Sequence, residues 1–149
     1  MPSLLRAALL GLATGGRATA GLTALSLTAP PSTRLGNRWT RRLAGTATGG
    51  EWLGDKLPQT PSRLQPEGFL PRLACGAVGG AIVSSRAGDG RGRTALAAAA
   101  GLLGAVAGSR LGAAWRQQAS RRFGNDLPGA LIEDAWVLGA ARFASRPRG

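Results

Sequence analysis

The chain has 149 residues, enough for about one domain, with a formal net charge of +12, no histidine, no tyrosine and one cysteine. The absence of histidine excludes a His-based catalytic triad and His metal ligands. The lone Cys75 excludes an intramolecular disulfide and reads as a small buried hydrophobe within LACGAVGGAIV.

Five apolar segments follow in chain order. The first runs from about Ser3 to Ala29 and stops at Pro30-Pro31. It carries Arg17 in its middle, and its length suits one spanning helix. Residues 1–50 hold six arginines and no acidic residue, so an organellar transit peptide, or a signal peptide cleaved after Ala18-Thr19-Ala20, is an alternative for this stretch. The second segment runs from about Leu43 to Leu57 and stops at Pro58, ahead of the proline-rich loop KLPQTPSRLQPEGFLP. The third is Leu70 to Ser85. A tight connection, AGDGRGR, leads to the fourth, Thr94 to Trp115, which also approaches spanning length. The fifth starts at Pro128, where proline suits the first helical turn, and ends near Ser145.

Two stretches repeat. LLGLATGGRATA at 9–20 and LLGAVAGSRLGA at 102–113 share Leu9, Leu10, Gly11, Gly15, Arg17 and Ala20 with Leu102, Leu103, Gly104, Gly108, Arg110 and Ala113, at an offset of 93. If all five segments cross a membrane, the fourth is the third crossing after the first. The halves, about 3–57 and 94–145 joined by a helix at 70–85, would then form an inverted repeat within a single membrane domain of 1–149.

Arginines cluster between the apolar segments: Arg34, Arg38, Arg41 and Arg42; Arg86, Arg91 and Arg93; Arg116, Arg121 and Arg122; Arg142, Arg146 and Arg148. Interhelical loops of polytopic membrane proteins are charged in this way, whereas a nucleic-acid binder gathers charge on one face or arm. The side with the 30–42 loop, the 86–93 loop and the C-terminus holds the larger count. The positive-inside rule makes that side cytoplasmic and, with five crossings, puts the N-terminus outside.

Glycines recur four apart: Gly11 with Gly15, Gly45 with Gly49, Gly50 with Gly54, Gly76 with Gly80, and Gly104 with Gly108 and Gly112. Small residues at this spacing let helix backbones approach closely in lipid, so these are packing positions.

Charge also falls inside apolar segments. Glu51 and Asp55 share one helix face, and Lys56 follows. Glu133 and Asp134 sit side by side in the fifth segment, and Arg17 and Arg110 lie mid-segment in the repeat. A charge at bilayer depth costs at least about 2.5–3.5 kcal/mol, so such residues pair or face water. The expected pairs are Arg17 with Glu51 or Asp55, and Arg110 with Glu133 or Asp134. They either fix helix register or form a polar, ion-conducting site. The exposed clusters at Arg38–Arg42 and Arg116–Arg122 read as solvated loop ends. Carboxylates are the only credible acids or bases, and no nucleophile elbow, phosphate loop or metal-ligand spacing is present, so no enzyme, cofactor or metal site is expected.

The stretch GEWLGDKLPQTPSRL, with its Glu51-x-x-x-Asp55-Lys56-x-Pro58 core, resembles the hallmark of a family of small bacterial integral-membrane proteins catalogued as domain of unknown function 4126. The apolar, Gly-rich opening at 5–27 and the Glu-Asp pair in LIEDAWVLGAARFA at 131–144 are similar to that family as well. The resemblance implies an all-helical membrane protein and brings no activity with it.

The expectation is an all-α, polytopic helical membrane protein of four or five short Gly-rich helices in the cell membrane. It would hold an intramembrane cluster of Arg17, Glu51, Asp55, Lys56, Arg110, Glu133 and Asp134. Its functional reading is a transporter or channel-like protein for an unknown small solute or ion, partnered by the lipid bilayer and by a second copy of itself, with no nucleic acid. The alternatives are a non-transporting membrane scaffold and a soluble basic nucleic-acid-binding protein.

Overall fold

The computed structural model describes residues 2–54, 65–124 and 127–146, and every regular element among them is helical. The elements are α1 (Ser3–Gly16), α2 (Ala20–Thr28), α3 (Arg38–Gly54), α4 (Pro66–Arg86), α5 (Arg91–Phe123) and α6 (Leu127–Ser145). Local chemistry marks most of their ends. Asn37 Oδ1 accepts the Thr40 N–H at 2.8 Å and caps α3. Pro66 opens α4, and Gly124, at φ 70°, closes α5 in the left-handed region. Ala29, ahead of Pro30, is extended, which ends α2.

The first apolar segment is two helices, not one. α1 runs out at Gly15-Gly16, a weak helical pair, and Arg17 is extended at φ −140°, ψ 118°. The chain then reverses. A Cβ on Gly21 would stand 3.3 Å from Leu10 Cγ, and Arg86, at the far end of α4, donates to the Leu25 carbonyl at 2.8 Å. α1 and α2 therefore form an antiparallel helical hairpin whose tip is residues 17–19. α3 runs back along α2: Arg41 donates to the Ala29 carbonyl, Thr23 to Ala44, and Glu51 reaches the tip.

This fold-back corrects the expected topology. The N-terminus shares an end of the molecule with the 30–37 loop, because α1 and α2 together leave and return. Arg6 joins that end, donating from Nε to the Ala144 carbonyl at 2.9 Å. Arg6, Arg34, Arg38, Arg41, Arg42, Arg86, Arg91, Arg93 and Arg146 gather there, against Asp89 as the acidic side chain among the described residues. We call this the basic end.

The two repeat copies pack against each other. Gly11 faces Gly101 and Gly15 faces Ala105 and Gly108, so α1 and α5 run parallel. Parallel copies are not related by inversion, and the inverted repeat is set aside for that reason. Any Cβ at Gly11, Gly15, Gly104 or Gly108 would collide with backbone of the opposite helix. Gly76 and Gly80 of α4 meet Gly101 and Ala97 of α5 in the same manner. Gly112 is half-buried one turn beyond Gly108. Gly45, Gly49 and Gly50 of α3 have nothing within 4 Å of an added Cβ and form an open face. Gly54 is helical, and its environment lies outside the described side chains.

Small and polar residues fill the interior. The largest fully buried side chains are Leu10, Leu25 and Val137, with Ala7, Ala13, Ala97, Ala105, Ala141 and Ala144 around them. Large apolar side chains point outward instead, among them Leu43, Leu70, Leu96, Leu103, Leu131, Trp136 and Phe143. By length and composition α4 and α5 could each cross a membrane. At 33 residues, α5 is about 50 Å long and outreaches a hydrocarbon core of about 30 Å.

Candidate functional site: a charge cluster at the hairpin tip

The tip of the α1–α2 hairpin ends inside the bundle. α1, at 14 residues, rises about 21 Å, and α4, at 21 residues, about 31 Å. Non-helical backbone at that depth must find its hydrogen bonds within the protein. Two neighbouring helices supply them. The Glu51 carboxylate of α3 accepts the backbone N–H groups of Ala18 at 2.8 Å and Thr19 at 3.1 Å, and the Thr19 hydroxyl at 2.8 Å. It thereby caps the start of α2 from another helix, where the helix dipole favours negative charge. Ser109 of α5 donates to the Gly15 carbonyl at 3.2 Å.

Arg17 is buried beneath this cap. Its Nε donates to Asp134 Oδ1 of α6 at 2.6 Å, with both side chains almost fully enclosed. Had α1 continued, Arg17 would fall on the face opposite Gly15, as Arg110 does relative to Gly108. The break turns it inward, while Arg110 stays exposed on α5. The two equivalent arginines therefore have different fates, and Arg110 is not part of the cluster.

Two arginines that sequence reasoning passed over complete it. Arg72 of α4 is buried, with Nη2 3.4 Å from Glu51 Oε1. Arg116 of α5, read from the sequence as a solvated loop end, places Nη1 3.6 Å from Glu133 Oε2. The expected pairs thus re-form with new partners: Arg17 with Asp134, Glu51 with Arg72, Glu133 with Arg116. Asp55 and Lys56 lie outside the described residues. Among the described residues, the three arginines of these pairs are matched by three carboxylates, as buried charges require.

A cavity of about 400 Å³ opens beside the cluster between α1, α5 and α6. Its floor is Gly16, Gly108 and Gly112, its walls include Leu111, Trp115 and Trp136, and Glu133 stands at its edge. The Trp115 indole N–H is held by the Gly129 carbonyl at 2.9 Å. Among the described residues no group of three Cys, Asp or Glu side chains stands close enough to hold a metal ion.

No family model matches the chain, and the comparisons with curated proteins and with solved structures give no match either. The site has to be read from its own chemistry.

Proposed function

We propose that the chain is a small, multi-pass integral membrane protein. In this reading α3 to α6 cross the bilayer and the α1–α2 hairpin enters it from the basic end without crossing. The charge cluster at the hairpin tip is the polar site of a transporter or channel-like protein for a small ion or solute. The positive-inside rule puts the basic end, with the start of α1 and the end of α6, in the cytoplasm.

The observation that carries this reading is the reversed distribution of side chains. Alanine, glycine, serine and the paired charges make up most of the interior, with Leu10 and Leu25 as its fully buried leucines, and among the described residues most leucine, tryptophan and phenylalanine side chains lie at the surface. Water would drive the opposite arrangement, and large contiguous apolar surfaces belong against lipid or a partner. A hairpin of two short helices meeting at membrane depth supports the transport part, because helix ends meeting at the midplane are where transporters hold charged cargo. The resemblance to the domain of unknown function 4126 family is compatible with the membrane part and says nothing of cargo.

A second reading is a membrane scaffold without transport. It is favoured by the open glycine face of α3, which suits close helix approach and has no occupant among the described residues. The experiment that separates them is conductance across planar bilayers in potassium chloride, after carbonate-washed membranes have been shown to retain the protein. Transport predicts a conductance lost in Glu133→Gln at unchanged protein amount. No conductance above the protein-free bilayer leaves the scaffold reading.

A further inference from the structure

Arginines at the basic end differ in what they hold. Arg41 and Arg86 are used by the fold. Arg41 donates to the Ser26 carbonyl at 3.3 Å and the Ala29 carbonyl at 2.9 Å, and Arg86 donates to the Leu25 carbonyl. Arg34, Arg38 and Arg42 are exposed, and no carboxylate of the described residues stands within ion-pair distance of them. Arg38 and Arg42, one turn apart on α3, flank Trp39 instead, with guanidinium carbons 5.4 Å and 5.5 Å from its ring centre. Arg41, Ala44, Thr48 and Glu51 turn toward α2 and the hairpin tip, so Trp39, Arg42 and Leu43 stand on the outward side of α3. There Trp39 is 60% exposed and Leu43 69%. The first turn of α3 holds no acidic residue, although a helix start favours negative charge.

We infer that this face of α3 docks on the headgroups of anionic phospholipid, with Arg38 and Arg42 against phosphate oxygens and Trp39 and Leu43 among the carbons beneath. Charge complementarity selects an anion, because two guanidiniums and the positive pole of the helix converge with no acidic side chain to answer them. The apolar half of the patch selects the source of that anion. A soluble phosphate would leave Trp39 and Leu43 in water, whereas a bilayer surface takes up the ring, the leucine and both charges together. The inference rests on the membrane reading and not on transport, and it adds which face meets the headgroups and which lipid charge it prefers.

The test uses the full chain in two steps. Flotation with phosphatidylcholine vesicles after a carbonate wash reads membrane insertion, and a chain that does not float overturns both the membrane reading and this inference. Native mass spectrometry in a neutral maltoside then compares one-to-one adducts with phosphatidylglycerol and with phosphatidylcholine. Phosphatidylglycerol should bind more tightly, and Arg38→Gln and Arg42→Gln should each cut that preference about fivefold. Arg38→Lys/Arg42→Lys keeps the charge and should keep most of the preference. Trp39→Ser should weaken adducts of both lipids alike, since it removes the apolar half of the patch. Arg121→Gln/Arg122→Gln, at the far end of α5, should change neither. The replaced side chains are exposed, so the variants should fold as the parent does. Equal affinity for the two lipids, or a preference undiminished in Arg38→Gln/Arg42→Gln, overturns the inference and leaves the membrane reading standing. Salt-sensitive binding of an oligonucleotide that the same double variant loses, in a chain that does not float, overturns it in favour of nucleic acid.

Discussion

Arg17 Nε and Asp134 Oδ1, 117 residues apart in sequence, meet at 2.6 Å in the interior and join the hairpin tip to α6. Removing one partner of a buried ion pair costs about 3–5 kcal/mol. Asp134→Ala and Arg17→Ala should each destabilise the protein on that scale, read from denaturant unfolding in detergent. The double replacement Arg17→Met/Asp134→Leu should recover most of the loss, because an apolar pair of similar volume needs no partner. If the double variant is as unstable as the two single ones summed, the residues do not act as a pair.

Glu51 makes a different kind of contact, since most of what it satisfies is backbone. Glu51→Ala strips acceptors from two N–H groups and a hydroxyl, and removes the carboxylate beside Arg72. Each buried donor left without an acceptor costs about 1–3 kcal/mol. The expected outcome is local: amide hydrogen exchange accelerates at Ala18 and Thr19 more than at Gly101 or Ala105 in the α1–α5 seam. Glu51→Gln keeps one acceptor oxygen and should show a smaller acceleration at the same two amides. Uniform acceleration along the chain would mean that Glu51 supports the whole bundle and not the tip.

The glycines divide into two classes that a substitution series can separate. Gly15→Ala and Gly108→Ala each force a Cβ into the backbone of the facing helix, so the helices must part. Overpacking of this kind costs typically about 1–3 kcal/mol, and here the obstruction is backbone. Gly45→Ala and Gly49→Ala meet nothing in the monomer and should raise stability by about 1 kcal/mol each through helix propensity. Thermal unfolding at low protein concentration reads both. A loss of stability at Gly45 or Gly49 would reveal that the α3 face is occupied by another copy.

The helical class, most segment positions and the packing of Gly11, Gly15, Gly76, Gly80, Gly104 and Gly108 were legible because they depend on local spacing, whereas the same spacing at Gly45 and Gly49 lies on an open face. Pro30-Pro31 and Pro128 mark boundaries chemically, whereas α4 starts at Pro66, within the stretch read as a loop, and takes Pro71 into its first turns. The hairpin was not legible. Residues 3–29 read as one apolar run, and only Gly15-Gly16 followed by Arg17 hints that the run bends. That hint is weak, since the same glycines are needed for packing against α5. The cluster was half legible for a related reason. Charge inside apolar segments marks Arg17, Glu51, Glu133 and Asp134, but pairing depends on which helices adjoin. Arg116 sits among loop-like arginines and turns inward only because α5 runs on past Trp115. Arg110 sits inside an apolar repeat and turns outward because helix α5 never breaks there.

The fold-back of α1 and α2 gives the membrane reading its sharpest consequence. With one spanning helix over 3–29, Ser3 and the 30–37 loop would lie on opposite sides of the bilayer. With a hairpin they lie on the same side, and Gly88 in the α4–α5 connection joins them, since α4 returns to the basic end. The measurement places single cysteines at Pro2, Thr33 and Gly88, all exposed, and one at Gly124 past the end of α5, in a chain carrying Cys75→Ser. A membrane-impermeant maleimide is then applied to sealed vesicles of known orientation. Pro2→Cys, Thr33→Cys and Gly88→Cys should label from the cytoplasmic face, where the arginines concentrate, and Gly124→Cys from the opposite face. Labelling of Pro2→Cys together with Gly124→Cys would restore a continuous first span. Labelling of all four from both faces would place the helices outside the bilayer, and the reversed distribution of side chains would then call for a protein partner in place of lipid.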